Sequence, residues 1–544
     1  MKNKLFRRLI SLAIVLVMIV PTLAPVYAAG LDEENDLSKN TEIKETSAQI
    51  LDEMNRASTY STFYDNHIDD PRPDAEVIVK GTDYLNPSED SGIYTDTIDG
   101  KEAMVWPEAS GSVDYVFNVD KAGIYNIELD YYALEGAAND IEVSFAIDGE
   151  VPYATASRIL LSKMWVDSEK SYMVDENGNR VFKQDSHGNQ IRPTLREELD
   201  WQTMPVKDTD GLFNDPLRFY FSAGEHTLTI TSQKARFALA QLRLFNQKPT
   251  PSLANVDNVT TDVSKASQTT GVNILLEGEA ADFKSDITLY ATYDRSTYVT
   301  SPASPTKMCY NTIGQANWKN AGQTITWKFH VDKDGWYKIG IRGKQNQMRG
   351  LYSNRRLYID DVVPCAEVEA LKFYYSEMWD CVTPKDADGN VIYFWLEAGD
   401  HELKLEAVPG EIGNIMRRLD DIVYYLNSYY RQILQITSPT PDEYNTYMIH
   451  KQIPSILPDF EKYAQQLRDI KSEIEVLAGT EGTEAVSLET MAKLLDKCIK
   501  RPDDIPSMLG QLKDDITSLS QWMTDYRSQY LEVDIIEIQS ADYE

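Results

Sequence analysis

Aromatic and amide side chains stand close together at several places in the second half of the chain. A flat aromatic ring packs against the C–H face of a sugar, and amide or guanidinium groups hydrogen-bond its hydroxyls. We therefore predict that a carbohydrate contacts these residues: Asn317, Trp318, Gln345, Asn346, Arg355, Tyr375 and Trp379. Trp318 is the strongest candidate, because it lies in a loop-like stretch of Gly and Asn.

The alternative for each of these aromatic residues is a place in the hydrophobic core. The chain has 32 tyrosines and 9 tryptophans, and half or more of these must fill cores. Trp327 and Trp336 lie within predicted strands, and we expect both to be buried.

The sequence has no motif of a common catalytic class. It contains neither a Gly-Xaa-Ser-Xaa-Gly nucleophile elbow nor a phosphate-binding loop. Its 6 histidines and 4 cysteines lack the spacing of a zinc site. Acidic residues are numerous enough for the carboxylate pair of a glycosidase, but no segment is typical of a barrel or a cleft-forming scaffold. We therefore do not expect an enzyme.

The charge of the chain excludes two classes of partner. The formal net charge is −33, and no basic cluster is present to bind nucleic acid. The same charge disfavours anionic lipid surfaces. Four cysteines in 544 residues cannot form a disulfide scaffold, and their pairing cannot be read from the sequence.

The N-terminus has the pattern of a signal peptide. Lys2, Lys4, Arg7 and Arg8 precede an apolar stretch from Leu9 to Val20, which is shorter than the ~20 residues that span a bilayer. Val26-Tyr27-Ala28 suits cleavage by signal peptidase. We predict that residues 1–28 are removed and that the mature chain is secreted, without a membrane span.

The chain contains an internal repeat. Residues 116–125 resemble residues 328–337, and residues 221–226 resemble residues 396–401. Short alternating apolar and polar stretches with Gly and Asp turns predict an antiparallel β-sandwich for each copy. The first copy is longer, with a predicted insertion over residues 168–215. His226 and His401 follow a turn at equivalent positions of the repeat, which indicates a structural role.

Towards the C-terminus, apolar residues recur at every third or fourth position instead of every second. This spacing predicts helices, and together they predict an antiparallel helical bundle. Residues 531–538 alternate again and match the closing strand of the first copy. The bundle is therefore predicted to interrupt the second sandwich before its last strand. The predicted segments are a signal peptide (1–28), an acidic linker with a short helix (29–74), the first sandwich (75–248), a linker (249–271), the second sandwich (272–410 with 531–542) and the bundle (411–530).

The second copy resembles a known family. The segments Leu276-Glu277-Gly278-Glu279-Ala280, Leu396-Glu397-Ala398-Gly399-Asp400-His401 and Val533-Asp534-Ile535 resemble family 6/35 carbohydrate-binding modules, which are galactose-binding-like jelly rolls. Residues 185–193, 311–314 and 344–346 resemble the N-terminal region of large extracellular solute-binding proteins of Gram-positive bacteria. Those proteins serve carbohydrate ABC importers. The resemblance implies a fold that is mainly β with α, with two jelly-roll-type sandwiches and the bundle.

The resemblance also implies a structural calcium ion in the second sandwich. Modules of this family often hold calcium between their opening and closing strands, and the matching residues are Glu277, Glu279 and Asp534. Calcium prefers hard oxygen ligands such as these carboxylates. The matching positions of the first copy, Lys80, Thr82 and Gln241, are not anionic, so no calcium is expected there. The alternative is that these acids are only exposed at a strand edge.

Two functions are consistent with these patterns. The first is a secreted, non-catalytic carbohydrate-binding protein at a Gram-positive cell surface, which captures an oligo- or polysaccharide for an ABC transporter. The second is a structural or interaction scaffold whose helical bundle docks a transporter or another cell-envelope partner.

Overall fold

The computed structural model describes residues 59–89, 91–136, 138–174, 180–295, 299–442, 444–478 and 485–543. The predicted signal peptide and most of the predicted acidic linker lie outside these residues. No helix in the described part of the chain is long and apolar enough to cross a membrane.

The first copy forms a β-sandwich with a short helix, α1 (Tyr60–Asn66), packed against it. Its strands are β1 (Val77–Lys80), β2 (Tyr94–Ile98), β3 (Lys101–Trp106), β4 (Gly111–Val119), β5 (Gly123–Ala133), β6 (Ile141–Ile147), β7 (Ile159–Leu161), β8 (Met164–Asp167), β9 (Tyr172–Val174), β10 (Arg180–Phe182), β11 (Leu195–Glu198), β12 (Trp201–Pro205), β13 (Arg218–Phe221), β14 (Gly224–Lys234) and β15 (Phe237–Phe245). One sheet has the order β12-β5-β15-β3-β2, with β1 on β15 and β13 on β5, and the other has the order β4-β14-β6-β7. Apolar side chains from both sheets form one core.

The second copy repeats this arrangement after a linker that contains α2 (Val263–Ala266). Its strands are β16 (Val259–Thr260), β17 (Asn273–Glu277), β18 (Phe283–Lys284), β19 (Ala291–Thr292), β20 (Thr312–Gln315), β21 (Thr324–Val331), β22 (Gly335–Lys344), β23 (Tyr352–Ile359), β24 (Leu371–Tyr374), β25 (Asp380–Val382), β26 (Tyr393–Leu396), β27 (Gly399–Val408) and β28 (Leu531–Gln539). One sheet has the order β16-β26-β22-β28-β20-β19, with β17 on β28 and β25 on β22, and the other contains β18-β21-β27-β23-β24.

In the described residues of the bundle there are four long helices and one short helix. They are α3 (Glu411–Thr437), α4 (Ile449–Gln452), α5 (Ile456–Ala478), α6 (Val486–Lys500) and α7 (Leu509–Arg527). The apolar residues that recur at three and four positions, including Ile415, Leu419 and Leu426, are buried in a core that also takes in Leu351 and Tyr352 of the second sandwich. This confirms the helical interpretation of the pattern.

The bundle is inserted in the second sandwich, as predicted. Strand β28, which follows α7, pairs with β17, β22 and β20 of that sandwich. Only Pro409 and Gly410 separate β27 from α3, and only residues 528–530 separate α7 from β28. The bundle is therefore joined to the sheet by two short connections.

A segment of the first copy that begins at β8 links the two sandwiches. Strand β8 pairs with β18, so β8 and β11 extend a sheet of the second sandwich. Buried Lys284 and Asp167 form an ion pair of 3.0 Å across this junction. Lys207 of the first copy also pairs with buried Glu406 of the second. The two sandwiches thus share one sheet and buried charges.

The repeated histidines are structural. His226 contacts Asp148 through Nδ1 at 2.7 Å and the Ser222 carbonyl through Nε2 at 2.9 Å. His401 contacts Asp360 and the Glu397 carbonyl in the same way, both at 2.7 Å. All four cysteines are free thiols.

Candidate functional site

Trp318 lies in the core of the second sandwich, contrary to the prediction that it binds a sugar. Its side chain is 0% exposed, and its indole Nε1 donates to the Gln323 carbonyl at 3.2 Å. The Gly/Asn stretch around it is a turn that directs the ring inward. The prediction was wrong because a loop can cover a core with its own aromatic residue.

Arg355 and Gln345 are also internal and cannot reach a ligand as predicted. Arg355 is 0% exposed, stacks on the Trp318 ring at 3.9 Å and donates to three main-chain carbonyls, including that of Gln529 at 2.8 Å. Gln345 is 2% exposed, and its side chain bonds the main chain of Gln347 and Met348. Both side chains bond main-chain groups and so hold loops in place, although Arg355 Nε has no hydrogen-bond partner among the described residues.

Three predicted residues lie on two neighbouring loops at one end of the second sandwich: Asn346, Tyr375 and Trp379. The loop of Asn346 and the loop of Tyr375 and Trp379 are joined by main-chain bonds, from Ser376 N to the Gln345 carbonyl (2.8 Å) and from Tyr375 N to the Leu351 carbonyl (3.0 Å). Asn346 is exposed, and Tyr375 and Trp379 are half-buried. Asn317 is half-buried in a separate turn, where its N–H donates to the Gly314 carbonyl.

A buried charge cluster lies beside Trp379. Lys344 Nζ is 4.4 Å from the Trp379 ring centroid, contacts Asp294 and lies 3.1 Å from Glu532 Oε2. Gln315 Nε2 and Thr312 Oγ1 each donate to Glu532 Oε1 at 2.8 Å. Burial raises the pKa of Glu532 even though Lys344 acts against it. The Trp379 Nε1 atom is buried and has no hydrogen-bond partner among the described residues.

A small open pocket adjoins this cluster through Asp294. It is lined by Tyr293, Asp294, Arg295, Ser304, Lys307 and Asn311, among others. Tyr293 is 40% exposed, so its ring is accessible at the rim. We call Lys344, Trp379, Asp294, Glu532 and this pocket the loop-end site.

Sequence reasoning missed the charged members of the loop-end site. Glu532 occupies a buried position of strand β28, where an apolar side chain is the ordinary choice. Lys344 directly precedes the predicted Gln345 and Asn346. A charged residue inside an otherwise buried strand was the signal that could have found them.

The predicted calcium ligands meet at a bulge in strand β28. The register shifts between Val533 and Ile535, so Asp534 is the extra residue. Asp534 accepts from Ser301 N at 3.0 Å and from Arg342 Nε at 2.6 Å. Burial, with the charge of Glu277 adding to it, raises the pKa of Asp534 to about 6, although Ser301 and Arg342 act against this rise.

The carboxyl groups of Glu277 and Glu279 are of the chemical type that calcium prefers as ligands. Glu277 Oε2 and Glu279 Oε2 are buried oxygens without a hydrogen-bond partner in the described structure, and calcium takes such oxygens. Burial raises the pKa of Glu279 well above its usual value, and Glu277 and Asp534 add to the effect. As placed, however, no group of three or more His, Cys, Asp or Glu among the described residues could hold a metal ion.

The first sandwich has the same backbone without the acids. A bulge at Ala240 of β15 matches that at Asp534, and Lys80 and Thr82 match Glu277 and Glu279. The glycine between them approaches the bulged strand in both copies. A Cβ at Gly81 would lie 1.8 Å from the Leu239 carbonyl oxygen, and one at Gly278 would lie 2.4 Å from that of Val533.

A second aromatic surface lies on the face of a sheet. Trp336 of β22 and Trp395 of β26 are cross-strand partners with ring centroids 5.3 Å apart. Trp395 is 39% exposed and Trp336 is half-buried, so the expectation that Trp336 belongs to the core was wrong. Strand periodicity alone does not say which face is covered. Trp327, by contrast, is in the core as expected, with 1% exposure.

Residues 414–529 match the family model of the 4-helix bundle domain of bacterial solute-binding proteins. This confirms, for the bundle, the resemblance to solute-binding proteins. No curated protein matches the chain.

Several solved structures are similar to about a third of the chain. They include the C-terminal family 6 carbohydrate-binding module of LamC from Zobellia galactanivorans (14% identity, 32% of this chain, 100% of that chain, TM-score 0.19). A family 35 module from Clostridium thermocellum has 10% identity over 32% of this chain and 99% of that chain, with a TM-score of 0.20. A module of Cellvibrio mixtus lichenase 5A in complex with cellotriose has 15% identity over 32% and 98%, with a TM-score of 0.18.

Proposed function

We propose that this chain is a non-catalytic carbohydrate-binding protein whose second sandwich binds sugar at the loop-end site. One observation carries the proposal: the half-buried Trp379 ring lies beside the Lys344 cluster and the Asp294 pocket. The ring supplies an apolar platform, and the neighbouring polar groups supply hydrogen bonds to hydroxyls.

The charge cluster favours a preorganised site. Lys344 is held by Asp294 and Glu532, and Glu532 is held in turn by Gln315 and Thr312. The cluster therefore fixes Lys344 against the Trp379 ring, and a ring held in place before the ligand arrives lowers the entropy cost of binding.

Calcium is part of this proposal. Glu277 and Glu279 would hold the ion through their unpartnered oxygens, together with Asp534. A bound calcium ion would supply a fixed positive charge that joins the opening strand β17 to the closing strand β28. Its role would be structural.

We propose further that the protein is secreted to a Gram-positive cell surface and captures sugar for an ABC importer. The match of the bundle to solute-binding proteins supports this setting. The competing scaffold function, in which the bundle docks an envelope partner, is supported by large apolar side chains exposed on the bundle, such as Tyr444 (96%) and Val476 (79%).

A glycan array followed by calorimetry tests the sugar site. Trp379→Ala should weaken binding about tenfold or more, which is ~1.4 kcal/mol, because it removes the aromatic platform. Trp395→Ala is the matched control, since it removes an exposed tryptophan of the same sandwich away from the loop-end site. If only Trp395→Ala loses sugar binding, the sugar site lies on the sheet face and not at the loop-end site. No binding by the wild-type protein to any glycan would favour the scaffold function.

A further inference from the structure

A hairpin turn of the first sandwich is docked on a loop of the second. Gln190 N donates to the Met308 carbonyl at 2.9 Å, and Tyr310 N donates to Gln190 Oε1 at 2.7 Å. Met308 N donates to Asn189 Oδ1 at 3.0 Å, and Lys307 Nζ donates to the His187 carbonyl. Four hydrogen bonds therefore join this turn to residues 307–310.

Side-chain packing reinforces the contact. Phe182 of the first copy packs with Ala291 and Tyr310 of the second in a small hydrophobic cluster. The Arg192 guanidinium also lies 4.3 Å from the centre of the Tyr290 ring. We call residues 180–192 the clamp segment. Its polar turn, through Gln190, and its apolar residue Phe182 both contact the loop that contains Tyr310.

The same turn recurs in the second copy without docking. Asp386 accepts from Asp388 N, Asn390 N and Asn390 Nδ2, as Asp185 does from His187 N, Asn189 N and Asn189 Nδ2. This turn is thus an element of both copies rather than part of the insertion predicted over residues 168–215.

The surroundings of the two turns differ. A Cβ on Gly188 would lie 3.5 Å from Lys307, whereas a Cβ on Gly389 would meet nothing within 4 Å. Residues 387–390 are exposed, while residues 188–190 are half-buried. The repeat therefore contains a docked turn and a free turn of the same geometry.

The loop that the clamp segment holds lines the pocket of the loop-end site. Lys307 and Met308 are lining residues, as is Asn311 just beyond Tyr310. Asn311 Nδ2 donates to the carbonyls of Asp294 and Pro302 and to Thr300 Oγ1, so it ties both sides of the pocket together. The position of residues 307–310 thus determines the shape of the pocket.

We propose that the first sandwich positions the ligand-binding loop of the second, with His187, Asn189 and Gln190 as positioning residues. The inference rests on the proposed sugar site for its effect on binding, but the effect on the loop is independent of any sugar. The first sandwich would thus contribute to ligand binding, even though its bulge lacks the acidic residues found at the bulge of the second sandwich. A prepositioned loop binds more tightly, because the cost of ordering it has been met before the ligand arrives.

Paired variants test the proposal. Gln190→Ala removes the acceptor of Tyr310 N, and Val391→Ala changes the equivalent residue of the free turn. Asn189→Ala and Asn390→Ala each lose the bond to the turn aspartate, but only Asn189→Ala loses the bond to Met308 N. Amide hydrogen exchange at Met308 and Tyr310, and affinity for cellotriose, laminaritriose and mannotriose, are measured on the full chain.

We expect exchange at these two amides to rise about tenfold or more in Gln190→Ala and Asn189→Ala, with no rise in Val391→Ala and Asn390→Ala. Affinity for whichever trisaccharide the wild type binds should fall about tenfold in the first two variants only. Unchanged exchange would overturn the proposal, and so would faster exchange with unchanged affinity. Wild-type protein that binds no glycan, with exchange still raised in the two clamp variants, would instead overturn the proposed sugar site.

Discussion

At the scale of single residues, the buried charges of the second sandwich differ in how fully their polar atoms are bonded. Glu532 and Lys344 are satisfied by each other and by neighbouring side chains, as buried charges must be. Glu277 and Glu279 each keep a buried oxygen without a partner. Glu277 Oε1 accepts from Ser301 Oγ at 3.0 Å, and burial favours the protonated form of Glu279 by raising its pKa.

Calcium should stabilise the wild-type protein, and Glu279→Gln should largely remove this effect, because the variant replaces a carboxylate by a neutral amide and so lowers the charge of the ligand set. A ligand at a hundred times its Kd adds about 2.7 kcal/mol to the free energy of unfolding. Thermal melting with calcium and with chelator measures the difference. Thr82→Ala, at the equivalent turn of the first sandwich, is the control and should keep the full effect. Stabilisation that survives in both Glu279→Gln and Asp534→Ala would place calcium elsewhere.

At the scale of elements, a bulge and a glycine form one unit in each sandwich. The extra residue of β15 or β28 turns its side chain away from the regular pattern, and the glycine of the opening strand fits against it. Only glycine allows the two backbones to approach so closely. The second copy uses this shared backbone to bring acidic side chains together.

Gly278→Ala should destabilise the protein, because its Cβ would lie 2.4 Å from the Val533 carbonyl oxygen and force the strands apart. Overpacking of this kind typically costs about 1–3 kcal/mol. Gly510→Ala in α7, where a Cβ meets nothing within 4 Å, should be neutral or stabilising by up to about 1 kcal/mol. Urea denaturation compares the two variants, and equal stability would show that the close approach is not needed.

At the scale of the whole molecule, buried ion pairs join the two sandwiches. Glu406 accepts from Lys207 of the first copy and from Tyr358, and Arg356 lies 3.8 Å away. Burial alone would raise the pKa of Glu406, but Lys207 and Arg356 outweigh it and lower the pKa. The interface between the sandwiches therefore depends on an ionised carboxylate.

Glu406→Gln should destabilise the protein at neutral pH by roughly 3–5 kcal/mol, because it leaves buried cations without their partner. A carboxyl with a lowered folded-state pKa stabilises the fold above its unfolded pKa of about 4.3, and this contribution is lost as the pH falls through the folded value. The difference in the free energy of unfolding between the variant and the wild type should therefore shrink as the pH falls below about 4.3, the pKa of the unfolded carboxyl.

Denaturation at neutral and acidic pH measures this difference. The control is Glu402→Gln on the same strand, whose partner Lys328 is exposed and whose loss should cost at most about 1 kcal/mol. Equal losses for Glu402→Gln and Glu406→Gln, or a gap that does not depend on pH, would contradict the role of Glu406 at the interface.

The sequence alone determined the strands, the helices and the interruption of the second sandwich. These follow from local periodicity and from the repeat, because a chain buries every second residue of a strand and every third or fourth of a helix. The resemblance to family 6/35 modules indicated Glu277, Glu279 and Asp534, which the fold brings near one bulge. The grouping of aromatic and amide side chains indicated Asn346, Tyr375 and Trp379, which share one end of the sandwich.

Only the tertiary structure decided which of these side chains face a ligand. Trp318 and Arg355 turned inward and Trp336 outward, because a loop or strand does not encode which of its faces another element covers. The residue that matches Asp534 is Ala240, not its neighbour Gln241, because a bulge shifts the register by one residue. Asn189 and Asn390 occupy equivalent positions in two turns of the same geometry, one in each copy. Among the described residues, only Asn189 bonds the other sandwich, at Met308 N. Its role depends on long-range contacts, which no local pattern contains.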